Sequence, residues 1–289
     1  MAFRRAAILG TGLIGGSFAL ALRKYDPDTV VVGWDKGHVL RHAFERGAIH
    51  EGFGEISLAV AGADLVYMAL PVGHTIELLP EVARLASPNA LVTDASSTKR
   101  SVCTAAAECF PSTSAKFLGG HPMAGKEISG IAAADAELFR GSKYALIHEW
   151  TGENAAGDPR ITEFVALIQK LGAEPVWLDA ETHDRAAAIV SHLPQLLAVA
   201  LAGVVRDQTD EAGMPVTLAG RGLRDALRLA GSPYSVWRDI ILTNSDNLDR
   251  ALGQLIQSLE QLRGDLRTRA LEEEFAAAGE LYKILRDLQ

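Results

Sequence analysis

Apolar positions along the chain follow two different rhythms, and the change falls near Asp179. Before it, short β-rich runs recur: AAILG (6–10), TVVVGWD (29–35), DLVYMALP (64–71), ALVTDA (90–95), KFLGG (116–120), KYALIHE (143–149) and EPVWLD (174–179). Each is separated from the next by helix-like or connecting sequence, and that alternation predicts an α/β domain with a mostly parallel, doubly wound sheet. From Ala180 onward strand-like runs are replaced by long helical periodicity, as in ETHDRAAAIVSHLPQLLAVALAGVVRD and SDNLDRALGQLIQSLEQLRGDL. The pattern therefore predicts two domains, 1–179 and 180–289, the second all-α, with no flexible linker and no internal repeat between them.

The first run leads into chemistry. Gly10, Gly12 and Gly15 form G-x-G-x-x-G directly after AAIL and at the start of the helical stretch that opens with Leu13 and Ile14. The first glycine permits a tight turn, the second lets a pyrophosphate approach the backbone, and the third lets helix and strand pack closely. The second run, TVVVGW, ends in Asp35, about twenty residues beyond the last glycine, where a carboxylate accepts hydrogen bonds from ribose hydroxyls. This makes the first domain Rossmann-type and NAD the expected cofactor in preference to NADP. A turn-capping role is the competing reading of Asp35, and Lys36 beside it leaves room for dual use.

Composition narrows the partners. With 48% hydrophobic and 22% charged residues the chain is an ordinary globular one, and a net charge of -8 argues against nucleic acid or an anionic membrane. A small anionic substrate remains compatible, since it needs only a local arginine. Cys103 and Cys109 are too few for a disulfide framework and lack metal-ligand spacing, so both are expected as buried thiols without a metal. The opening MAFRRAAILG superficially resembles a signal peptide but is broken at once by GTGLIGG. No stretch is expected to reach the roughly 18 apolar residues of a membrane span, which points to a cytoplasmic protein.

GGHPMAGKE (119–127) places His121 where a strand should end, the edge at which open α/β sheets keep their chemistry. Behind a dinucleotide fold and ahead of a helical domain, this stretch resembles the HPMAG signature of the prephenate and arogenate dehydrogenases of tyrosine biosynthesis. Three more stretches resemble that family in the same order: TDASSTK (93–99), with its Asp-x-x-Ser-x-Lys pattern, SHLP (191–194), and GRGLRDALRLAGSPYSVWRDI (220–240).

The resemblance implies an NAD-dependent oxidative decarboxylation of a cyclohexadienyl acid, in which a hydride leaves ring C4, the C4 hydroxyl loses its proton and the ring carboxylate leaves as carbon dioxide. It implies that His121 is the catalytic histidine at the C4 hydroxyl, that Ser97 attends the same hydroxyl and that Arg228 binds a substrate carboxylate. Ser97 could equally be an N-cap, since a helix begins just beyond it. His192 is implied to line the site, although a lone histidine in an apolar helix is more often a core residue; Trp237 is more simply core. His183 and Asp184 open the first long helix, where Asp184 suits the positive helix end, and both are read as structural.

Two positions depart from the family's pattern. Lys126 follows HPMAG where a small polar residue is frequent, which would bring a cation to the mouth of the pocket; Gln195 follows SHLP where a second histidine is frequent. Both are expected to face substrate and to bear on prephenate against arogenate. Competing readings are an arogenate or amino-substituted prephenate dehydrogenase, a hydroxyacid or imine reductase, and a non-catalytic NAD sensor. Leu248, Leu252, Leu255, Leu259, Leu262 and Leu266 step by four and three alternately. That is the spacing of a coiled-coil-like seam, expected to form a homodimer through the helical half, or else to pack on helices of the same chain.

Overall fold

The computed structural model describes residues 3–147 and 157–287. Eight strands form one sheet: β1 (Arg5–Leu9), β2 (Val30–Trp34), β3 (Glu51–Phe53), β4 (Leu65–Met68), β5 (Leu91–Asp94), β6 (Lys116–Pro122), β7 (Lys143–Ile147) and β8 (Glu174–Leu178). Their order is β3-β2-β1-β4-β5-β6-β7-β8. The first six are parallel; β7 runs antiparallel to β6 and parallel to β8. Strand order reverses at β1 and β4, which opens a crevice at the carboxyl ends of the strands.

Helices α1 (Leu13–Tyr25), α2 (Gly37–Glu45), α3 (Ile56–Val60), α4 (Val72–Leu85), α5 (Arg100–Cys109) and α6 (Pro159–Lys170) cover the sheet. The strands are apolar on both sides because both sides are covered. Ala6 and Ile8 of β1 join Phe18 and Leu22 of α1 and Phe164 of α6 in one core cluster. Ala7 and Leu9 join Val60 of α3, Leu79 of α4 and Val102 of α5 in the other. Phe18 is fully buried and stacks on Tyr67 of β4 with ring centroids 3.9 Å apart. Truncating such a ring costs about 3–5 kcal/mol.

Seven of the eight strands coincide with the apolar runs of the sequence. The eighth, β3, is three residues long in polar surroundings (HEGFGE) and carries no apolar run to announce it. The last two residues of the predicted run 143–149 lie outside the described residues. His121 belongs to β6 itself, one residue before its end, rather than following the strand. Cys103 is buried as expected, but Cys109 is only partly so.

Beyond β8 come α7 (Ala180–Ala187), α8 (Leu193–Asp207), α9 (Arg221–Leu227), α10 (Tyr234–Thr243), α11 (Ser245–Asp265) and α12 (Ala270–Asp287). A π turn, Ala188–His192, joins α7 to α8 where a single helix is expected from the periodicity. Pro194 explains it: proline lacks an N–H to donate back along the helix, and the wider turn accommodates the loss. The combined run Ala180–Asp207 holds an 18-residue window of mean hydropathy 1.9, so by length and composition it reaches the size of a membrane span, contrary to the expectation from the sequence. Its buried residues nevertheless include His183, Asp184, His192 and Gln195, polar groups that face the rest of the protein.

The chain falls into two compact units, Met1–Asn244 and Ser245–Gln289. Within the first, helices from the second half of the chain clamp the sheet's helices by their amino termini. Asp239 of α10 accepts from the Gly73 N–H at the start of α4 (3.0 Å), and Asp184 of α7 accepts from Lys99 and Arg100 N–H at the start of α5 (2.7 and 3.0 Å). A carboxylate at a helix N-terminus satisfies donors the helix cannot, and it faces the positive end of the dipole. In the second unit, α12 buries none of its side chains, and Leu259, Leu266, Phe275, Leu281 and Tyr282 stand at least half exposed.

Candidate active site

The glycine-rich turn leaves β1 at the sheet's switch point. Gly10 has φ +91°, and a side chain there would meet the Ala69 carbonyl at 2.4 Å. At Gly15 a Cβ would lie 1.9 Å from the Gly10 carbonyl oxygen, so only glycine lets α1 sit this close to β1. Gly12 faces open space, and α1 has no side-chain cap and no acidic residue in its first turn. The N–H groups of Leu13 and Ile14 therefore begin the helix without an internal acceptor, an arrangement that receives a phosphate.

Asp35, just past β2, accepts from Thr11 N–H (2.8 Å) and Thr11 Oγ1 (3.3 Å) with Oδ2 and from Lys36 N–H (2.7 Å) with Oδ1. A carboxylate has about four acceptor positions, so Oδ1 keeps one for a further donor such as a ribose hydroxyl. The capping role and the ligand role of Asp35 are thus compatible.

On the same edge of the sheet, β5 and β6 end in a buried polar lattice. Asp94 and Lys99, both fully buried, form an ion pair; Lys99 Nζ also donates to the Gly120 carbonyl (2.7 Å). Asp94 accepts from Ser96 N–H (2.9 Å) and Gly120 N–H (3.0 Å). This lattice fixes the strand end that presents His121. Ser97 is partly exposed between Asp94 and α5. It does not cap α5: the helix's first N–H groups go to Asp184 instead.

His121 is buried, with Nδ1 2.9 Å from Nε2 of His183, whose own Nδ1 lies 2.8 Å from Oδ1 of Asp184. Burial, then the neighbouring His183, Lys99 and His192, hold the His121 imidazole well below the usual histidine range. His192 Nδ1 lies 3.2 Å from Asn244 Nδ2, which also donates to the Asp184 carbonyl (2.8 Å). Trp237 stands edge-on to the His192 ring, with centroids 5.9 Å apart, while also packing on the core. Burial lowers His192 to about 4, so it too is neutral at pH 7. His192 Nε2 and Gln195 Oε1 are both buried and find no hydrogen-bond partner among the described residues. One turn apart on the same helix face, they are polar atoms left for a ligand.

Two further candidates, Lys126 and Arg228, are exposed and ion-paired. Lys126 donates to Asp135 Oδ2 (3.1 Å) and to the Ala133 carbonyl (3.2 Å), so its cation is neutralised within its own loop. Arg228, exposed, pairs with Glu127. Sequence reasoning missed the place of His183 and Asp184 in the site. A signal was present: Ala180, His183, Asp184 and Ala187 follow the i, i+3, i+4, i+7 spacing of a buried helix stripe, with two polar residues at core positions.

Residues 18–176 match the nucleotide-binding domain of prephenate dehydrogenase, and residues 179–285 its dimerization domain. A prephenate dehydrogenase of Lactococcus lactis is 35% identical over 84% of this chain, which spans 66% of that protein's length. A cyclohexadienyl dehydrogenase of Zymomonas mobilis is 31% identical over 90% of this chain and 88% of its own. The crystal structure of a prephenate dehydrogenase from A. aeolicus, in complex with hydroxyphenyl propionate and NAD+, superposes with a TM-score of 0.86 at 28% identity, covering 99% of this chain and 98% of that one. A nucleotide-binding crevice and a buried histidine site on one sheet edge, followed by matched helices, place this chain in the prephenate dehydrogenase family.

Proposed function

We propose that this chain is a cytoplasmic, homodimeric, NAD-dependent enzyme that converts prephenate to 4-hydroxyphenylpyruvate and carbon dioxide. The carrying observation is that buried His121 stands on the sheet edge that also holds the glycine-rich turn, within electrostatic reach of His192, whose Nε2 finds no hydrogen-bond partner among the described residues. Gly10, Gly12, Leu13, Ile14 and Gly15 would hold the pyrophosphate and Asp35 the ribose. When bound there, the dinucleotide supplies the two-electron acceptor for the hydrogen on the hydroxyl-bearing ring carbon.

The protein's own tasks are orientation and the handling of one proton. His121 accepts the hydroxyl proton; because the product is a phenol, that proton returns to the same oxygen once the carboxylate has left and the ring is aromatic. Such general-base help is worth roughly two to four decades of rate. Ser97 orients the hydroxyl in this reading. Arg228 takes a substrate carboxylate in the position Glu127 holds in the structure, giving charge-assisted bonds. His192 and Gln195 line the pocket, with Lys126 at its rim.

Steady-state kinetics by NADH absorbance test the assignment. His121→Asn is expected to lower kcat at least about 100-fold with little change in KM, and Arg228→Ala to raise KM, since its carboxylate partner is present before the reaction. Normal turnover in H121N would overturn the base assignment. A second reading, arogenate as the preferred substrate, is favoured by one observation: Gln195 Oε1 is a buried acceptor without a donor, which an ammonium would supply. Comparing kcat/KM for the two substrates decides between them.

A further inference from the structure

We propose that His183 and Asp184 are positioning residues that hold His121 in the tautomer with hydrogen on Nδ1, so that Nε2 is the lone pair offered to the reacting hydroxyl. This rests on the reading of His121 as the base, and it assigns work to two side chains that the sequence presents only as the start of a helix.

The order of donors follows from one end of the chain of contacts. Asp184 accepts Lys99 N–H (2.7 Å) and Arg100 N–H (3.0 Å) and offers His183 only lone pairs. His183 Nδ1, 2.8 Å from Asp184 Oδ1, must therefore carry its hydrogen. A neutral imidazole has one donor and one acceptor, so His183 Nε2 is a lone pair. His121 Nδ1, 2.9 Å away, must donate to it, and His121 Nε2 is left as the acceptor. Asn244, donating to the Asp184 carbonyl at 2.8 Å, helps hold the residue that anchors the series.

The same geometry defines how the proton is kept during turnover. The substrate O–H bond breaks and a His121 Nε2–H bond forms, with the electron pair remaining on oxygen. His121 Nδ1–H then passes its proton to His183 Nε2, and the positive charge rests beside the Asp184 carboxylate instead of beside Lys99. Reversal of both transfers returns the proton to the product oxygen.

The test is nitrogen NMR of protein labelled with 15N-histidine, without cofactor, at pH 8, with each ring assigned by substitution. In the wild type His121 should show Nδ1–H. In His183→Ala the acceptor of His121 Nδ1–H is gone, so the hydrogen is no longer held on Nδ1. His121 should then show Nε2–H, and kcat should fall at least about 100-fold with KM within about threefold; a histidine left in the wrong tautomer costs ~10⁴ in a Ser-His-Asp triad. Wild-type His121 carrying hydrogen on Nε2 overturns the proposal, and this reading stands even if H183A fails to fold. An unchanged tautomer and kcat in folded H183A also overturns it, since a structural role would cost stability alone. Normal turnover in H121N with the tautomers as expected removes the base assignment on which the relay depends, a distinguishable outcome.

Discussion

Replacing Lys99 by methionine probes the lattice that holds the His121 strand end. Lys99 and Asp94 have no exposed side-chain surface, and removing one partner of a buried ion pair costs about 3–5 kcal/mol because the other charge is left uncompensated. Here the stranded carboxylate keeps Ser96 N–H at 2.9 Å and Gly120 N–H at 3.0 Å, so the low end applies, about 3 kcal/mol. For a chain of this length that lowers Tm by roughly 6 to 9 °C, at about 2 to 3 °C per kcal/mol. Urea denaturation followed by circular dichroism measures the first quantity and calorimetry the second. The substitution has a second readout. The Lys99 cation helps hold His121 in its neutral form, so its loss raises the His121 pKa and moves the acid limb of kcat/KM to higher pH. A K99M protein within 0.5 kcal/mol of wild type (a threshold on the order of ordinary surface substitutions) and with an unmoved acid limb would refute the buried pair.

Acid should destabilise the fold through His192. Its pKa is lowered from 6.5 to about 4, so between those values the unfolded chain binds a proton the folded chain does not. The contribution is present in full above pH 6.5 and is lost as pH falls through about 4, amounting to about 3 kcal/mol at ~1.4 kcal/mol per unit; urea midpoints that do not move between pH 7 and pH 4.5 would contradict it. Asp35→Ser should weaken NAD binding and relatively improve NADP in fluorescence titrations, whereas a wild type that already prefers NADP would show that Lys36 or another cation dominates. Lysine at Leu255 and Leu259 should leave a monomer with a folded sheet unit by light scattering. A wild type that is monomeric at micromolar concentration excludes the seam.

The local elements were legible because local order depends on neighbours a few residues apart. Two-sided burial makes β4 a continuous apolar run and β1 nearly one, and the sequence shows them as such. Gly10 and Gly15 state a backbone requirement that no other residue type meets, so the cofactor turn could be read directly. The change of period at Asp179 was equally visible, since Asp179 caps α7 through Thr182 N–H. Where a local signal was weak, as in β3, or where proline altered a helix, as in the π turn before Pro194, the reading failed for the same reason: the element is set by its surroundings.

The polar partnerships were decided by tertiary structure alone. Asp184 meets α5, 84 and 85 residues away in sequence, and caps that helix rather than its own; His183 meets His121 across 62 residues. Lys126, read as a cation for the pocket, pairs with Asp135, and Arg228 pairs with Glu127. Hydrogen bonds and ion pairs have no sequence period, because which donor reaches which acceptor depends on how the topology folds distant segments together. The sequence alone therefore determined the elements, the cofactor turn and the residue types available for catalysis. Only the packing of the helices against the sheet decided which histidine nitrogen meets which partner, since that is a property of contacts between segments that are strangers along the chain.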